Sequence, residues 1–263
     1  IKDEVKEQVA ALKQKGIDVT LAVIQIGKDP ASTVYVGNKK KACEYVGIRS
    51  LAYELPEETS EQELLELVRS LNAKEDVDGI LVQLPLPKHI DEDKVIRTIS
   101  PDKDVDGFHP ESVGRLSIGQ PGFVSCTPAG IIQLLKRSGI TIDGKECVII
   151  GRSNIVGKPM GMLLLRENGT VTICHSHTPD LKTVAKRADI LVVAIGKAKF
   201  VDASYVKDGA AVIDVGMDRD ENGKLCGDVD FASVEPVAGA ITPVPTIAML
   251  MNNCVESAQR KHC

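Results

Sequence analysis

Tyr35 and Lys39 stand four residues apart, just after the turn-forming stretch Lys28-Asp29-Pro30-Ala31-Ser32. On a helix that spacing puts a ring and an amine on one face, where both can meet one ligand. A lysine that moves protons needs its pKa lowered by burial or by neighbours, and Lys39-Lys40-Lys41 taken alone reads as a solvated face. A second polar group, Gln83, interrupts the apolar run 79–84 (GILVQL) just before Pro85 and Pro87. The carboxyl end of a strand is where open α/β sheets bind ligands, although a glutamine there can also serve only to satisfy nearby backbone. Further on, Pro101-Asp102-Lys103-Asp104-Val105-Asp106-Gly107 brings three carboxylates into a turn-rich segment. A carboxylate can accept two parallel hydrogen bonds from a planar amino-amidine edge such as that of a pterin, and each of the three also fits ordinary turn and cap chemistry.

A different chemistry is written at 146–165. The run 146–151 (ECVIIG) leads into Gly151-Arg152-Ser153-Asn154-Ile155-Val156-Gly157-Lys158-Pro159, and a helical pattern follows through Met162 and Leu163 to Leu165. A strand, a glycine turn and a helix N-terminus aim backbone N–H groups and the positive end of a helix dipole at a phosphate. Ser153 holds the second glycine position of the usual G-x-G-x-x-G, so a plain βα turn is the competing reading. The next strand ends in Cys174-His175-Ser176-His177-Thr178. No carboxylate stands there to bind ribose hydroxyls or repel a 2'-phosphate, while Arg152 and Ser176 are suited to binding one, so NADP is preferred over NAD. His175 and His177 share a strand face as metal ligands would, but no third ligand is in view and no metal is expected.

Composition bounds the rest. The 263 residues suffice for one large domain or two ordinary ones, and 43% hydrophobic with 26% charged residues is ordinary globular composition. Nucleic acid is disfavoured as a partner by the net charge of -5, the absence of Trp and a count of four Phe. Seven cysteines without a Cys-x-x-Cys pair read as reduced thiols, which points to the cytoplasm. No apolar run approaches the roughly 20 residues of a membrane helix, so no membrane is expected. The sequence opens on Ile1 rather than Met, so a leader or first strand is expected ahead of it and organelle targeting stays open.

The elements that must position these groups read as alternating strands and helices, the pattern of a parallel sheet, and the fold class is therefore α/β. Strands are predicted at 20–27, 50–55, 79–84, 146–151, 170–174, 189–196 and 211–216. Gly119, Pro121, Gly122 and Pro128 suggest a boundary in 117–128, with Thr127 as N-cap and Pro128 as first residue of a new helix. The Thr242-Pro243-Val244-Pro245 segment ends the second series, and the last helix, 246–260, is expected to return to the first domain. The division is 1–126 plus 246–263 for the first domain and 127–245 for a Rossmann-like dinucleotide-binding domain.

Taken in order, Tyr35-x-x-x-Lys39, Val82-Gln83-Leu84-Pro85-Leu86-Pro87, Lys103-Asp104-Val105-Asp106-Gly107, Pro128, Gly151-Arg152-Ser153-x-x-Val156-Gly157-x-Pro159-Met160 and Thr242-Pro243-Val244-Pro245 resemble the methylenetetrahydrofolate dehydrogenase/cyclohydrolase family over nearly the whole chain. The resemblance implies a folate cleft between two α/β domains, a homodimer, and NADP-dependent oxidation of 5,10-methylenetetrahydrofolate followed by hydrolysis to 10-formyltetrahydrofolate, in the one-carbon supply to purine biosynthesis. It implies that Lys39 is catalytic, tuned by Gln83, that Asp106 anchors the pterin, and that Tyr35, Val82, Leu84 and Pro245 line the folate site. Gly151, Arg152, Ser153, Val156, Gly157, Ser176, Gly196 and Met217 correspond to cofactor contacts.

The chain departs from the family in one place. Members usually continue Thr-Pro-Val-Pro into Gly-Gly-Val-Gly-Pro-Met, whereas Thr246 follows Pro245 directly here. The expectation is a glycine-rich loop omitted from this sequence rather than a lost one. Two rivals remain: an NADP dehydrogenase of a small acid, of shikimate type, whose substrate gives no reason for Gln83 together with Asp106, and a catalytically inactive folate or nucleotide sensor.

Overall fold

The computed structural model describes residues 1–243 and 246–262, so Pro245, proposed above for the folate site, lies outside the described residues. The chain divides into two compact units, residues 1–126 with 246–263 and residues 127–245.

In the first unit α1 (Lys2–Gln14), β1 (Thr20–Ile26), α2 (Pro30–Val46), β2 (Arg49–Leu55), α3 (Glu61–Ala73), β3 (Gly79–Val82), α4 (Glu92–Thr98) and α5 (Pro110–Ser117) follow in order. The three strands form a parallel sheet in the order β2-β1-β3. Side chains alternate across a strand. Ala22, Ile24 and Ile26 of β1 and Ile80 and Val82 of β3 pack with Leu64, Leu65, Val68 and Leu71 of α3 and with Val95 of α4. The intervening residues therefore point to the opposite face. Helix starts are chemically marked: Asp29 accepts the Ser32 amide of α2 at 2.8 Å, and Ser60 with Glu63 forms a capping box on α3.

Helix α6 (Cys126–Arg137) begins earlier than the sequence suggested. Thr127 and Pro128 sit inside its first turn rather than at its cap and first position, where a proline is tolerated because the first N–H groups have no intrahelical partner. Then come β4 (Glu146–Ile150), α7 (Gly157–Arg166), β5 (Thr170–Cys174), α8 (Leu181–Ala185), β6 (Ile190–Val193), β7 (Ala211–Asp214), a small hairpin of β8 (Asp218–Arg219) and β9 (Leu225–Cys226), α9 (Phe231–Val234) and β10 (Ala240–Pro243). Five parallel strands lie in the order β10-β7-β6-β4-β5. Counted from β4, that is 2-1-3-4-5, one of the two common doubly wound orders. Val148, Ile150, Leu191, Val193 and Val212 pack with Ala185 and Val234 on one face, and Gly161 lets α7 approach Ile149 and Ile173 on the other.

Five of the seven predicted runs end sooner in the structure, while β2 and β5 end where predicted, at Leu55 and Cys174, and β2 begins one residue earlier, at Arg49. Pairing continues one residue past β3, β6 and β7, where Gln83 N donates to Ile24 O at 2.8 Å, Ala194 N to Ile150 O at 2.8 Å and Val215 N to Val193 O at 2.9 Å, and the chain then turns away into loops. The β8–β9 hairpin and β10 were not predicted. The chain finishes with α10 (Thr246–His262), which packs against α1 and α2 of the first unit.

Candidate functional site

The first unit gathers its polar side chains at the carboxyl ends of β1 and β3. Because Val82 faces the α3 core, Gln83 faces α2, and its Oε1 accepts a hydrogen bond from Lys39 Nζ at 3.0 Å. Gln83 Nε2 donates to Leu84 O at 2.6 Å, which fixes the amide orientation so that oxygen faces the ammonium. Lys39 and Tyr35 are half-buried on one face of α2, whereas Lys40 and Lys41 are exposed, so the lysine run is split by the helix rather than being one solvated face. Burial raises the Tyr35 phenol above its ordinary value. The Val82 side chain lies in the α3-side core, away from Lys39. A cavity of about 1040 Å³ opens along β1 and β2 beside Gln25, Thr33 and Lys40, and neither Lys39 nor Gln83 lines it.

The three carboxylates of 101–107 separate into different roles. Asp104, 2% exposed, accepts from Phe108 N at 3.1 Å, His109 N at 2.9 Å and Ser112 Oγ at 2.7 Å. It is the loop-capping residue of the three, and burial pushes its carboxyl up to about 6 against the lowering effect of those donors. Asp106 keeps a partly accessible face. Desolvation also raises it, opposed by the Lys39 ammonium and the Cys126 thiol. Lys39, Gln83 and Asp106 are thus brought into one electrostatic neighbourhood. The sequence reading missed Cys126. Its thiol reaches Val105 O at 3.4 Å and is itself raised by burial and then by Asp106. Asn253 of α10 completes the support, its Nδ2 donating to Val105 O at 2.9 Å and Val124 O at 3.1 Å.

The second unit offers mainly backbone. Gly151 turns out of β4 with φ +131, and a Cβ there would collide with the Ala194 carbonyl, so glycine is required by both conformation and space. Ser153 is not merely a poorer glycine: its Oγ accepts from Val156 N at 3.1 Å and Gly157 N at 3.3 Å, starting α7 from within the loop. Arg152 and Ser176 are exposed at the ends of β4 and β5. His175 Nδ1 accepts the His177 amide at 3.1 Å, so that nitrogen is engaged in the turn. Among the described residues no group of three or more His, Cys, Asp or Glu is placed to hold a metal. Gly196 and Met217 lie in the loops after β6 and β7, Met217 with 57% of its surface exposed. Behind those loops stand two carboxylates that the sequence reading did not single out. Asp228 accepts Ile195 N at 2.8 Å and Lys197 N at 2.6 Å, and Asp214 accepts Gly216 N at 3.0 Å, Asp228 N at 3.0 Å and Val229 N at 3.1 Å. The clue was Gly227-Asp228-Val229-Asp230, small and acidic residues without helical or strand periodicity.

Residues 1–106 match the family model described as tetrahydrofolate dehydrogenase/cyclohydrolase, catalytic domain, and residues 125–262 match that family's NAD(P)-binding domain. A bifunctional protein FolD from Lachnoclostridium phytofermentans is 72% identical, over 99% of this chain and 94% of its own length. The crystal structure of the bifunctional enzyme FolD, methylenetetrahydrofolate dehydrogenase/cyclohydrolase, from Campylobacter jejuni superposes with a TM-score of 0.95 at 49% identity, covering 98% of this chain and 94% of that one. The Trypanosoma brucei dehydrogenase-cyclohydrolase, solved with NADP cofactor and inhibitor, gives a TM-score of 0.93 at 39% identity over 98% of this chain and 93% of its own. Shikimate 5-dehydrogenase from Thermus thermophilus gives 0.54 at 15% identity, over 92% and 99%, a likeness of fold alone.

Proposed function

The chain belongs to the tetrahydrofolate dehydrogenase/cyclohydrolase family, and we propose that the hydrolytic one of its two activities turns on Lys39 held by Gln83. It oxidises 5,10-methylenetetrahydrofolate to 5,10-methenyltetrahydrofolate and hydrolyses that product to 10-formyltetrahydrofolate. NADP, when bound, accepts the hydride that leaves the methylene carbon. Water then adds to the methenyl carbon, the adduct loses a proton and one carbon–nitrogen bond opens. An ammonium has three N–H donors, and the Gln83 bond at 3.0 Å fixes one of them. The Lys39–Gln83 pair holds the amine in place for the proton transfers of hydrolysis, and it is the observation that carries the proposal. Tyr35, on the same helix face, packs along the folate rings, and Leu84 lines that site.

In this reading Asp106 receives the amino-amidine edge of the pterin. The donors that an approaching pterin brings replace the water that a half-buried carboxylate must give up. The first unit handles the folate and the second the NADP. The phosphates meet the start of α7 through Gly151, Ser153, Val156 and Gly157, and Gly196 with Met217 faces the far end of the cofactor. NADP fits this chain's own residues. The end of β5 carries no Asp or Glu, while Arg152 and Ser176 stand exposed to meet a 2'-phosphate. A homodimer in the cytoplasm, supplying purine synthesis, belongs to the same proposal. Six free cysteines among the described residues accord with a reducing compartment.

The test is direct. Full-length protein is supplied with 5,10-methylenetetrahydrofolate and NADP, and NADPH is followed. A separate reaction follows the decay of methenyltetrahydrofolate absorbance without cofactor. Both reactions are expected, and failure of the second alone would remove Lys39 from its role.

A further inference from the structure

Asp228 is 0% exposed, yet no ion pair to it is present among the described residues. A carboxylate buried without a cation is costly unless donors surround it. Here the donors are the backbone amides of Ile195, at 2.8 Å to Oδ2, and Lys197, at 2.6 Å to Oδ1, which straddle Gly196. One short side chain therefore fixes both flanks of the loop after β6. Its own backbone is fixed in turn, because Asp214 at the end of β7 accepts the Asp228 amide at 3.0 Å and the Gly216 amide at 3.0 Å. The packing leaves no slack. A Cβ on Gly216 would collide with the Asp228 amide nitrogen and approach its Cγ, and a Cβ on Gly227 would collide with the Asp214 carboxylate. The loop after β6 also meets the phosphate turn, since the Ala194 carbonyl is the atom a Cβ on Gly151 would strike. Asp218 adds a further constraint. Its Oδ2 is buried without a hydrogen-bond partner among the described residues, and its carboxyl is raised by desolvation and then by the neighbouring Asp228 carboxyl.

We propose that Asp228 is a positioning residue for NADP: by holding Ile195 and Lys197 from behind, it sets the cofactor-facing backbone at Gly196 in register with the loops at Gly151 and Met217. The inference rests on the NADP reading of this unit. It gives a reason for burying a charge where no substrate atom need touch it. A carboxylate accepts at both oxygens, which two converging amides require, whereas an asparagine would present an N–H to one of them and open the loop.

The experiment compares Asp228→Asn with Arg152→Ala in the full-length enzyme, measuring the KM for NADP, kcat at saturating NADP, and cofactor-free hydrolysis of methenyltetrahydrofolate. Asp228→Asn is expected to raise the NADP KM by about tenfold or more, with a smaller change in kcat and hydrolysis close to the parental rate. A purely structural role would lower both activities together, and that outcome overturns the proposal. An unchanged NADP KM in Asp228→Asn beside a raised one in Arg152→Ala also overturns it while leaving the NADP site intact. If neither variant changes the NADP KM, the cofactor reading itself fails. Should Asp228→Asn not fold, Gly216→Ala disturbs the same contact and keeps the carboxylate. The same split is expected of it, and its absence overturns the proposal.

Discussion

The two sheets are built on one rule and used in two ways. In each, the first and third strands in sequence are neighbours, β1 with β3 and β4 with β6, so a topological switch point lies at their carboxyl ends. The first unit fills that place with ionisable and amide side chains: Lys39 against Gln83, and Asp106 against Cys126. The second fills it with turns and amides, Gly151, Ser153 and the loops held by Asp228. The difference fits the tasks proposed for the two units. Proton transfer needs a group whose charge can change, which only a side chain supplies. A polyphosphate needs many fixed donors that never change charge, which backbone N–H groups at a helix start supply at little entropic cost.

The comparison breaks most visibly at Lys39. Lys39→Met keeps much of the apolar stem and deletes the amine, so hydrolysis of methenyltetrahydrofolate is expected to fall by about 10²–10⁴-fold. Survival of the parental rate would reduce Lys39 to a surface residue and leave the first switch point without chemistry. Next in size is Asp106→Ala. Two charge-assisted bonds of roughly 1.5–3 kcal/mol each are lost, so the folate KM should rise at least about a hundredfold while NADP affinity holds. Loss of both affinities would show that the two switch points are not separable.

The third test concerns titration. Burial pushes Asp104 from 3.8 up to about 6, so the folded protein keeps a proton that the unfolded chain has released. Stability from this group therefore falls as pH rises between about 4 and 6 and is level above, by up to about 3 kcal/mol. In Asp104→Asn, urea titrations across that range should lose this component of the slope relative to the parent. Identical slopes would mean that the loop amides, not burial, dominate the site. Smallest is the change within the second unit. Arg152→Ala should weaken NADP about ten- to a hundredfold and NAD hardly at all. Equal weakening would mean that Arg152 does not select the cofactor by its 2'-phosphate.

Much of this was legible because apolar parallel strands and glycine turns are local signals. The runs at 20–27, 79–84, 146–151 and 170–174 marked strands, with Gln83 and Leu84 at the end of the second, Gly151 at the end of the third, and Arg152 and Ser153 just past it. What was not legible depends on long-range closure. Asp104 and Asp106 are two residues apart and look alike in a turn, yet only the fold brings Ser112 to one and Cys126 to the other. Val82 looked like part of a ligand motif, but strand alternation turns it into the α3 core. Asp214 and Asp228 acquire their roles from loops that meet only when β7 has joined the sheet.

The first unit is also discontinuous in the chain, and this bears on how the protein is made. Ser257 Oγ donates to Asp78 O at 2.6 Å and Asp102 O at 2.9 Å, and Asn253 reaches the backbone on both sides of Asp106. Residues 127–245 are contiguous and can fold as they leave the ribosome. The segment bearing Asp106 must wait for α10, nearly 150 residues later in synthesis, before Asn253 can reach Val105 at a separation of 148. The nucleotide-handling unit is thus ready first, and the acid-bearing loop is secured only as translation finishes.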